Sequence, residues 1–463
     1  MNKSYNQTIF ALSTTYGSSA VAIFRISGSK AGEIAKKYCK IRKLKERYVH
    51  YTHIFDQNKQ IIDKGIIIFF KSPRSYTGED LLELHVHGSI AIIKKISKFL
   101  SKLPNLRPAY PGEFSKRAFL NNKGNALYYE GINNLIHSET ENQRLAANRQ
   151  IFGNTSQKCS TWREKILKTM AFVDAEIEFS EEVEKNNQND ITNEIKMIKS
   201  EISNAIENFN VTNSLMHGSN IMIIGPTNVG KSSLFNFLIQ DEKMIVSDVK
   251  GTTTDQSDKS IDIFGNKTNL IDSAGIRVAK NSIEKEGINK TLETINKVQK
   301  FILVLSPDSL NKQNVKSVRG ILQKIAAKKA VIVFNKADLK TSTVKFKEWK
   351  NEIMELKSLK SISISCVKNN NNNNMLIKIF TFINKHLLLV DTHEKDYYFS
   401  EFRQSKCLIS IYKNLDKAIE NMSNLEICNK YLRDAVDDLD ELFGKHDTES
   451  QLGTIFNNFC IGK

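Results

Sequence analysis

Gly225-Pro226-Thr227-Asn228-Val229-Gly230-Lys231-Ser232-Ser233 decides how this chain is read. The apolar run Ile221-Met222-Ile223-Ile224 precedes it, and Leu234-Phe235-Asn236-Phe237-Leu238-Ile239 follows. That order is strand, glycine loop, helix. The stretch matches the phosphate-binding pattern G-x-x-x-x-G-K-[ST] throughout. Gly225 and Gly230 permit a tight turn in which backbone N–H groups face phosphate oxygens. Lys231 suits the β- and γ-phosphates, the Ser232 hydroxyl suits Mg²⁺, and Asn228, Val229, Gly230 and Ser233 complete the cradle. A helix N-terminus adds partial positive charge.

Three further elements follow in the order a guanine-nucleotide hydrolase requires. Gly251-Thr252-Thr253-Thr254-Asp255 supplies hydroxyls suited to a metal-binding switch loop, with Thr253 a candidate Mg²⁺ ligand. Asp272-Ser273-Ala274-Gly275 ends the apolar run from Thr268 to Ile271, which puts a carboxylate near the Mg²⁺ shell and the Gly275 N–H near the γ-phosphate. Asn335-Lys336-Ala337-Asp338 ends the run from Val331 to Phe334. An aspartate there accepts from the N1 and exocyclic amine of guanine, donors that adenine does not offer together. Ser365-Cys366, after Ile362-Ser363-Ile364, is placed to brace the base. These elements together predict GTP as the nucleotide.

The chain has 463 residues, a formal net charge of +16 and a pI near 9.3. The length predicts several domains, and the charge favours a polyanionic partner. A lysine- and asparagine-rich composition, visible in the run Asn369 to Asn374, is the competing explanation of the charge. The six cysteines are scattered and form no C-x-x-C pair, which argues against disulfides or a zinc site and fits a reducing cytoplasm. Met1-Asn2-Lys3-Ser4-Tyr5 carries no signal-peptide pattern, and no apolar run approaches the roughly 18 residues of a membrane span.

Residues 1–123 read as α/β, with strands at Thr8 to Leu12, Ser19 to Arg25 and Ile61 to Phe70 and helices at Lys30 to Cys39 and Ser89 to Leu103. His85 and His87 share one strand face, which suits either a metal or a structural or ligand-facing role. Residues 124–215 lack strand alternation and read as helical, with the charged stretch Glu181 to Asp190 as a loop. Residues 216–384 form the nucleotide domain, with strand cores near 221, 261, 269, 302, 331 and 362. Residues 385–463 read as helical over Phe399 to Leu415, Asn429 to Phe443 and Thr448 to Phe459. The expected fold class is multidomain: an α/β N-terminal domain, and an all-α domain whose halves flank an inserted P-loop domain.

Phe24-Arg25-Ile26-Ser27-Gly28, Tyr76-Thr77-Gly78-Glu79-Asp80 with Leu82-Glu83-Leu84, the segment Pro111 to Lys123 and Phe459-Cys460-Ile461-Gly462-Lys463 join the nucleotide motifs in a wider pattern. Taken together, the chain resembles the MnmE (TrmE) family of tRNA-modification GTPases over essentially its whole length. The resemblance implies a folate-binding N-terminal domain that also mediates homodimerisation, a helical domain, and a Ras-like GTPase domain. It implies that the chain acts with the flavoprotein MnmG in a heterotetramer on tRNA. The product would be a carboxymethylaminomethyl or aminomethyl group at C5 of the wobble uridine, with 5,10-methylenetetrahydrofolate as carbon source and 5-formyltetrahydrofolate as its analogue. The family's folate contacts fall on Arg25, Glu83, Lys123 and Lys463. These types suit a ligand with an anionic glutamate tail and a pterin donor edge. Cys460 matches a family cysteine assigned to chemistry, with packing as the alternative.

For hydrolysis, the position that holds the water-orienting glutamine of Ras-like proteins is Ile276, which cannot hydrogen-bond water. The resemblance passes that role to Glu284. It also implies a K⁺ ion, in place of an arginine finger, held by Asn228, Ser247, the Val249 carbonyl and Thr252. Nucleotide contacts would come from the whole switch loop Ser247, Asp248, Val249, Lys250, Gly251, Thr252 and Thr253. Thr254 departs from the family's usual arginine, which puts coupling of the switch to the helical domain in question. The competing function is a GTPase switch in ribosome assembly of the Era and Der type, which lacks a folate domain and the Cys-Ile-Gly-Lys tail.

Overall fold

The computed structural model describes residues 7–178, 187–239, 258–272, 298–325, 329–366, 372–388 and 398–445, with Phe456, Phe459 and Gly462. The switch segments 240–257 and 273–297, and with them Glu284, Ile276 and every site residue between Ser247 and Thr253, lie outside these residues, as do Cys460 and Lys463. The chain divides into two compact units. One comprises Met1–Asn133, Ser156–Ile202 and Lys406–Lys463; the other comprises Asn134–Thr155 and Ser203–Ser405.

The first unit holds a six-stranded sheet built from β1 (Thr8–Leu12), β2 (Ser19–Ser27), β3 (Val49–Phe55), β4 (Ile61–Phe70), β5 (Leu81–Gly88) and β6 (Leu106–Pro108), in the order β3-β4-β5-β2-β1-β6. Only the β1–β6 pairing is parallel. Strand side chains alternate between faces. Ala22, Phe24 and Ile26 of β2, with Leu82, Leu84 and Val86 of β5, therefore pack against α1 (Ala31–Tyr38) and α2 (Ile90–Ser101). The helices contribute Ile34, Ala35, Ile93, Ile96, Phe99 and Leu100 to that core. Truncating a fully buried residue such as Phe24 to alanine costs about 3–5 kcal/mol. Arg25 and Glu83 alternate with these residues and so stand on the opposite face, cross-strand partners in the β2–β5 register.

α3 (Glu113–Leu120) follows β6, and its Ala118 packs with Tyr129 and Ala126 of α4 (Ala126–Ile136) against Phe456 and Phe459. α6 (Thr155–Glu178), α7 (Asn187–His217), α12 (Phe402–Glu420) and α13 (Leu425–Phe443) are the remaining long helices that contribute to this unit. Fully buried Trp162 donates its indole N–H to Glu201 Oε2 at 2.6 Å, and the Arg163 guanidinium meets both Asp440 oxygens at 2.9 and 2.8 Å. The stretch expected as a loop to Asp190 is corrected at its end: α7 begins at Asn187. Asp190 lies in its first turn, where the helix dipole favours a carboxylate. The helix expected over Thr448 to Phe459 lies outside the described residues except for Phe456 and Phe459.

The second unit is a doubly wound sheet of β7 (Ser219–Ile224), β8 (Asp258–Ile263), β9 (Asn266–Asp272), β10 (Lys300–Leu305), β11 (Lys329–Phe334) and β12 (Ser361–Ser363), ordered β12-β11-β10-β7-β9-β8. All neighbours are parallel except the β8–β9 hairpin. Both faces are apolar, as a covered parallel sheet requires. Ile221 and Ile223 face α8 (Lys231–Ile239) and α11 (Asn372–Ile383), whereas Met222 and Ile224 face α9 (Lys312–Ile325) and α10 (Ser342–Glu352). α5 (Glu141–Phe152) belongs to this unit, opened by a reciprocal capping box of Thr140 and Gln143.

Candidate functional site

Parallel strands bring their C-terminal ends to one edge of a sheet, and loops that diverge there form a cleft. β7 leads into the glycine loop, β9 ends in Asp272, Asn335 follows β11, and Ser365 follows β12. Residues more than a hundred positions apart in sequence thus meet at one edge of the second unit.

Gly225 (φ +147) and Gly230 (φ +92) hold conformations that a side chain rarely adopts. A Cβ at Gly225 would lie 2.3 Å from the Val304 carbonyl, and one at Gly230 would lie 2.2 Å from Asn335 Nδ2. Asn228 also takes a left-handed conformation, φ +63, which asparagine tolerates better than most residues. Lys231 Nζ donates to the carbonyls of Gly225 and Pro226 at 3.1 and 2.6 Å, so the ammonium sits across its own loop. Ser232 Oγ donates to Asp272 Oδ2 at 3.0 Å, which sets a hydroxyl and a carboxylate side by side, the hard oxygen donors Mg²⁺ prefers.

The base-recognition side is cross-braced. Asn335 Nδ2 donates to the Val229 carbonyl at 3.0 Å, while its Oδ1 is buried with no hydrogen-bond partner among the described residues. Lys336, at φ +58, reaches the Asn228 carbonyl at 3.0 Å and Asp308 at 2.7 Å. Ser365 Oγ donates to Asp338 Oδ1 at 2.6 Å. Burial, and then the Asp338 charge, push the Cys366 thiol up to about 12, so the cysteine beside this bond stays a neutral thiol. A glycine cradle, an orphaned buried amide oxygen and a paired hydroxyl and carboxylate all fit a nucleotide triphosphate with its divalent cation.

A second polar cluster lies in the first unit. Arg25 Nε donates to Glu83 Oε1 at 2.8 Å, and Arg25 NH1 reaches the Gly462 carbonyl at 3.4 Å. Ser13 Oγ bonds the same carbonyl at 3.1 Å. The Tyr76 ring centroid lies 5.9 Å from the Arg25 guanidinium, and the Tyr76 hydroxyl meets Ser115 Oγ at 2.7 Å. A Cβ at Gly78 would stand 3.2 Å from Lys123 Cε, which places the Lys123 stem along the Gly78 turn. Arg25 and Glu83 are thus joined directly, and Lys123 is held against the loop that carries Tyr76. The arrangement mixes a cation, a carboxylate and aromatic surface, which suits a flat heteroaromatic ligand with an acidic tail.

The sequence leaves His85 open between a metal and a structural or ligand-facing role, and the structure gives it a contact. His85 Nε2 lies 3.0 Å from Glu83 Oε2, the carboxylate oxygen that Arg25 does not hold. The His85 bond, together with the Arg25 guanidinium, keeps Glu83 below the usual carboxylate range against the opposing effect of burial. The signal was the i, i+2 spacing of Glu83 and His85, which puts both on one strand face. His87 instead pairs with Asp63 at 2.9 Å, and no group of three or more metal-ligating side chains occurs among the described residues.

Two family models match the chain: "GTP-binding protein TrmE N-terminus" over residues 8–123 and "MnmE helical domain" over residues 128–460. Three curated relatives each carry the name tRNA modification GTPase MnmE. The protein of Aquifex aeolicus is 32% identical over 99% of this chain and 100% of its own. That of Pelagibacter ubique is 35% identical over 98% and 100%. That of Orientia tsutsugamushi is 34% identical over 99% and 100%.

Proposed function

We propose a function from one premise: the chain belongs to the MnmE family of tRNA modification GTPases. It hydrolyses GTP and couples that hydrolysis to modification of tRNA. The observation that carries this reading is the convergence of Lys231, the Ser232–Asp272 pair and the Ser365-braced Asp338 on one sheet edge. Asp338 reads guanine, with Ser365 fixing its carboxylate. Asn335 ties the base-recognition loop to the phosphate loop. Lys231 exchanges its loop carbonyls for phosphate oxygens. Ser232, Asp272 and Thr253 would hold Mg²⁺, which supplies charge neutralisation at the β- and γ-phosphates.

Glu284 orients the attacking water, because Ile276 cannot. Asn228, Ser247, the Val249 carbonyl and Thr252 would hold K⁺, which supplies the positive charge an arginine finger supplies elsewhere. In the N-terminal domain, Arg25, Glu83, Lys123 and Lys463 hold a reduced folate, with Cys460 near the transferred carbon or packed beside it. With MnmG as partner, the homodimer installs a carboxymethylaminomethyl or aminomethyl group at C5 of the wobble uridine in the cytoplasm. We divide the chain into a folate domain over 1–123, helical halves over 124–215 and 385–463, and a GTPase domain over 216–384.

The deciding experiment is nucleoside analysis of bulk tRNA from cells lacking this protein. The C5-modified wobble uridine should disappear and return on complementation. Unaltered tRNA nucleosides would leave a GTPase without this chemistry, which is the ribosome-assembly reading.

A further inference from the structure

The positive charge of this chain is not spread along it. Residues 1–123 carry 22 lysines and arginines against 8 aspartates and glutamates, a net +14. Residues 124–463 carry 45 against 43, a net +2. A composition bias acting on the whole gene would distribute the excess in proportion to length, so the asymmetry belongs to the N-terminal domain itself.

The fold gathers that charge further. α1 and α2 pack on the same face of the sheet, and Tyr38 meets Phe99 ring to ring at 4.9 Å, which brings the C-terminal ends of the two helices together. Their outer surfaces, with the segment that follows α1, expose Lys36, Lys37, Arg42 and Lys43 on one side and Lys94 and Lys98 on the other. None of these six stands in an ion pair among the described residues. The nearby carboxylates are already engaged: Glu33 by Lys30 at 2.8 Å, Glu46 by Arg74, and Asp56 by Lys95 at 2.8 Å. Tyr48, 53% exposed, follows this segment in the chain, with Lys45 Nζ 5.2 Å from its ring centroid.

We infer that this α1–α2 surface is the docking face for the phosphate backbone of tRNA, with Tyr48 as a stacking platform for an unpaired base at its rim. The inference rests on the proposed tRNA reading and adds the place where the RNA sits. A row of unneutralised cations is costly to hold together and gains most from a polyanion that releases its counterions on binding. A second copy of this surface would repel the first, so the strip does not suit self-association. An exposed aromatic ring beside cations suits single-stranded RNA, whose bases can unstack.

The test uses the full-length protein, without nucleotide, and unfractionated bacterial tRNA. Binding is followed by fluorescence anisotropy from low to moderate KCl. Each phosphate-contacting cation adds about one unit to the slope of log affinity against log salt. The quadruple variant Lys36→Ala, Lys37→Ala, Arg42→Ala, Lys43→Ala should lose at least about tenfold in affinity near 0.1 M salt, with a slope shallower by about two to four units. Lys94→Ala with Lys98→Ala should flatten it by a further one to two units. A control variant removes four exposed cations from the second unit: Lys312, Lys316, Lys324 and Lys347. It should bind as wild type. Retained 5-formyltetrahydrofolate affinity in the quadruple variant shows that its N-terminal domain is folded. An unchanged slope in that variant, or an equal loss in the control, overturns the docking face while leaving the tRNA reading intact. Wild-type protein that binds no tRNA overturns both. Equal, strip-dependent binding to anionic lipid vesicles would reassign the surface to membranes.

Discussion

Asp338 accepts a hydrogen bond from Ser365 Oγ at 2.6 Å, and both residues lie on loops rather than inside strands. On the proposed reading, base preference rests on the Asp338 carboxylate that Ser365 holds. Asp338→Asn exchanges an acceptor pair for an amide and should move preference from guanine toward xanthine nucleotides, read as the ratio of XTP to GTP turnover. Ser365→Ala should weaken GTP binding several-fold without altering that ratio. The Arg25–Glu83 pair has the same logic in the other unit. A hydrogen bond to a charged group contributes about 1.5–3 kcal/mol. Arg25→Ala should thus cost at least about tenfold in 5-formyltetrahydrofolate affinity by calorimetry, and unchanged affinity in both the Arg25 and Glu83 alanine variants would remove the folate assignment. Because the folded pKa of Glu83 is depressed, the stability it contributes is present above its unfolded pKa and fades as pH falls through the lower folded value.

At the scale of elements, the end of α7, the start of α5 and the segment before α12 meet within the second unit at a junction of polar contacts. Gln143 Nε2 donates to the Met216 carbonyl at 2.6 Å, Asn213 Nδ2 donates to the Ser400 carbonyl at 2.7 Å, and His217 lies 3.5 Å from Glu401. The Glu401 bond raises the His217 pKa above its ordinary value. The stability this histidine adds is then full below about pH 6.5 and is lost as pH rises through the higher folded value. The pair is half-exposed, so screening limits it to at most about 1 kcal/mol. His217→Gln should lower the melting temperature at pH 6 by at most about 2–4 °C and leave it unchanged at pH 9, measured by thermal unfolding across that range.

This junction also marks where sequence reading stopped. The loops that carry Lys231, Asp272 and Asp338 could be placed at strand ends because each motif follows an apolar run, which is local information. The grouping of α5 with the nucleotide sheet was not, because it depends on bonds such as Gln143 to Met216 and Asn142 Nδ2 to Asn266 Oδ1 at 3.2 Å, whose partners no periodicity links. The Glu83–His85 contact needed only strand alternation, but the sequence reading considered His85 with His87 and did not name Glu83 as its partner. The charge asymmetry was present in the residues but disappears when charge is counted over the whole chain.

At the scale of the whole molecule, the proposed hydrolysis draws on groups outside the glycine loop: Ile276 cannot orient water, and the K⁺ assigned to Asn228 would take further ligands from Ser247, Val249 and Thr252. Turnover should be faster in KCl than in matched NaCl, because sodium is too small for the oxygens assigned to the potassium site and should not support pairing of two GTPase domains. Glu284→Ala should reduce steady-state hydrolysis by about 10²–10⁴-fold with little change in nucleotide affinity. Equal rates in the two salts, or an alanine variant as fast as wild type, would show that this chain replaced its family's chemistry along with the switch arginine that Thr254 displaced.

Phe456 and Phe459 pack with Ala118 and Tyr129, and the Gly462 carbonyl rests on Ser13 and Arg25. Gly112, at φ +65, makes room for that tail: a Cβ there would lie 2.1 Å from the Phe456 carbonyl. Arg25 and Glu83 precede the nucleotide domain in sequence, whereas Phe456, Phe459 and Gly462, which pack on the same unit, follow it. A chain cut short after the nucleotide domain would keep the Arg25–Glu83 pair but lose Phe456, Phe459 and the Gly462 carbonyl that meets Ser13 and Arg25, so the far part of the sequence helps shape the N-terminal polar cluster.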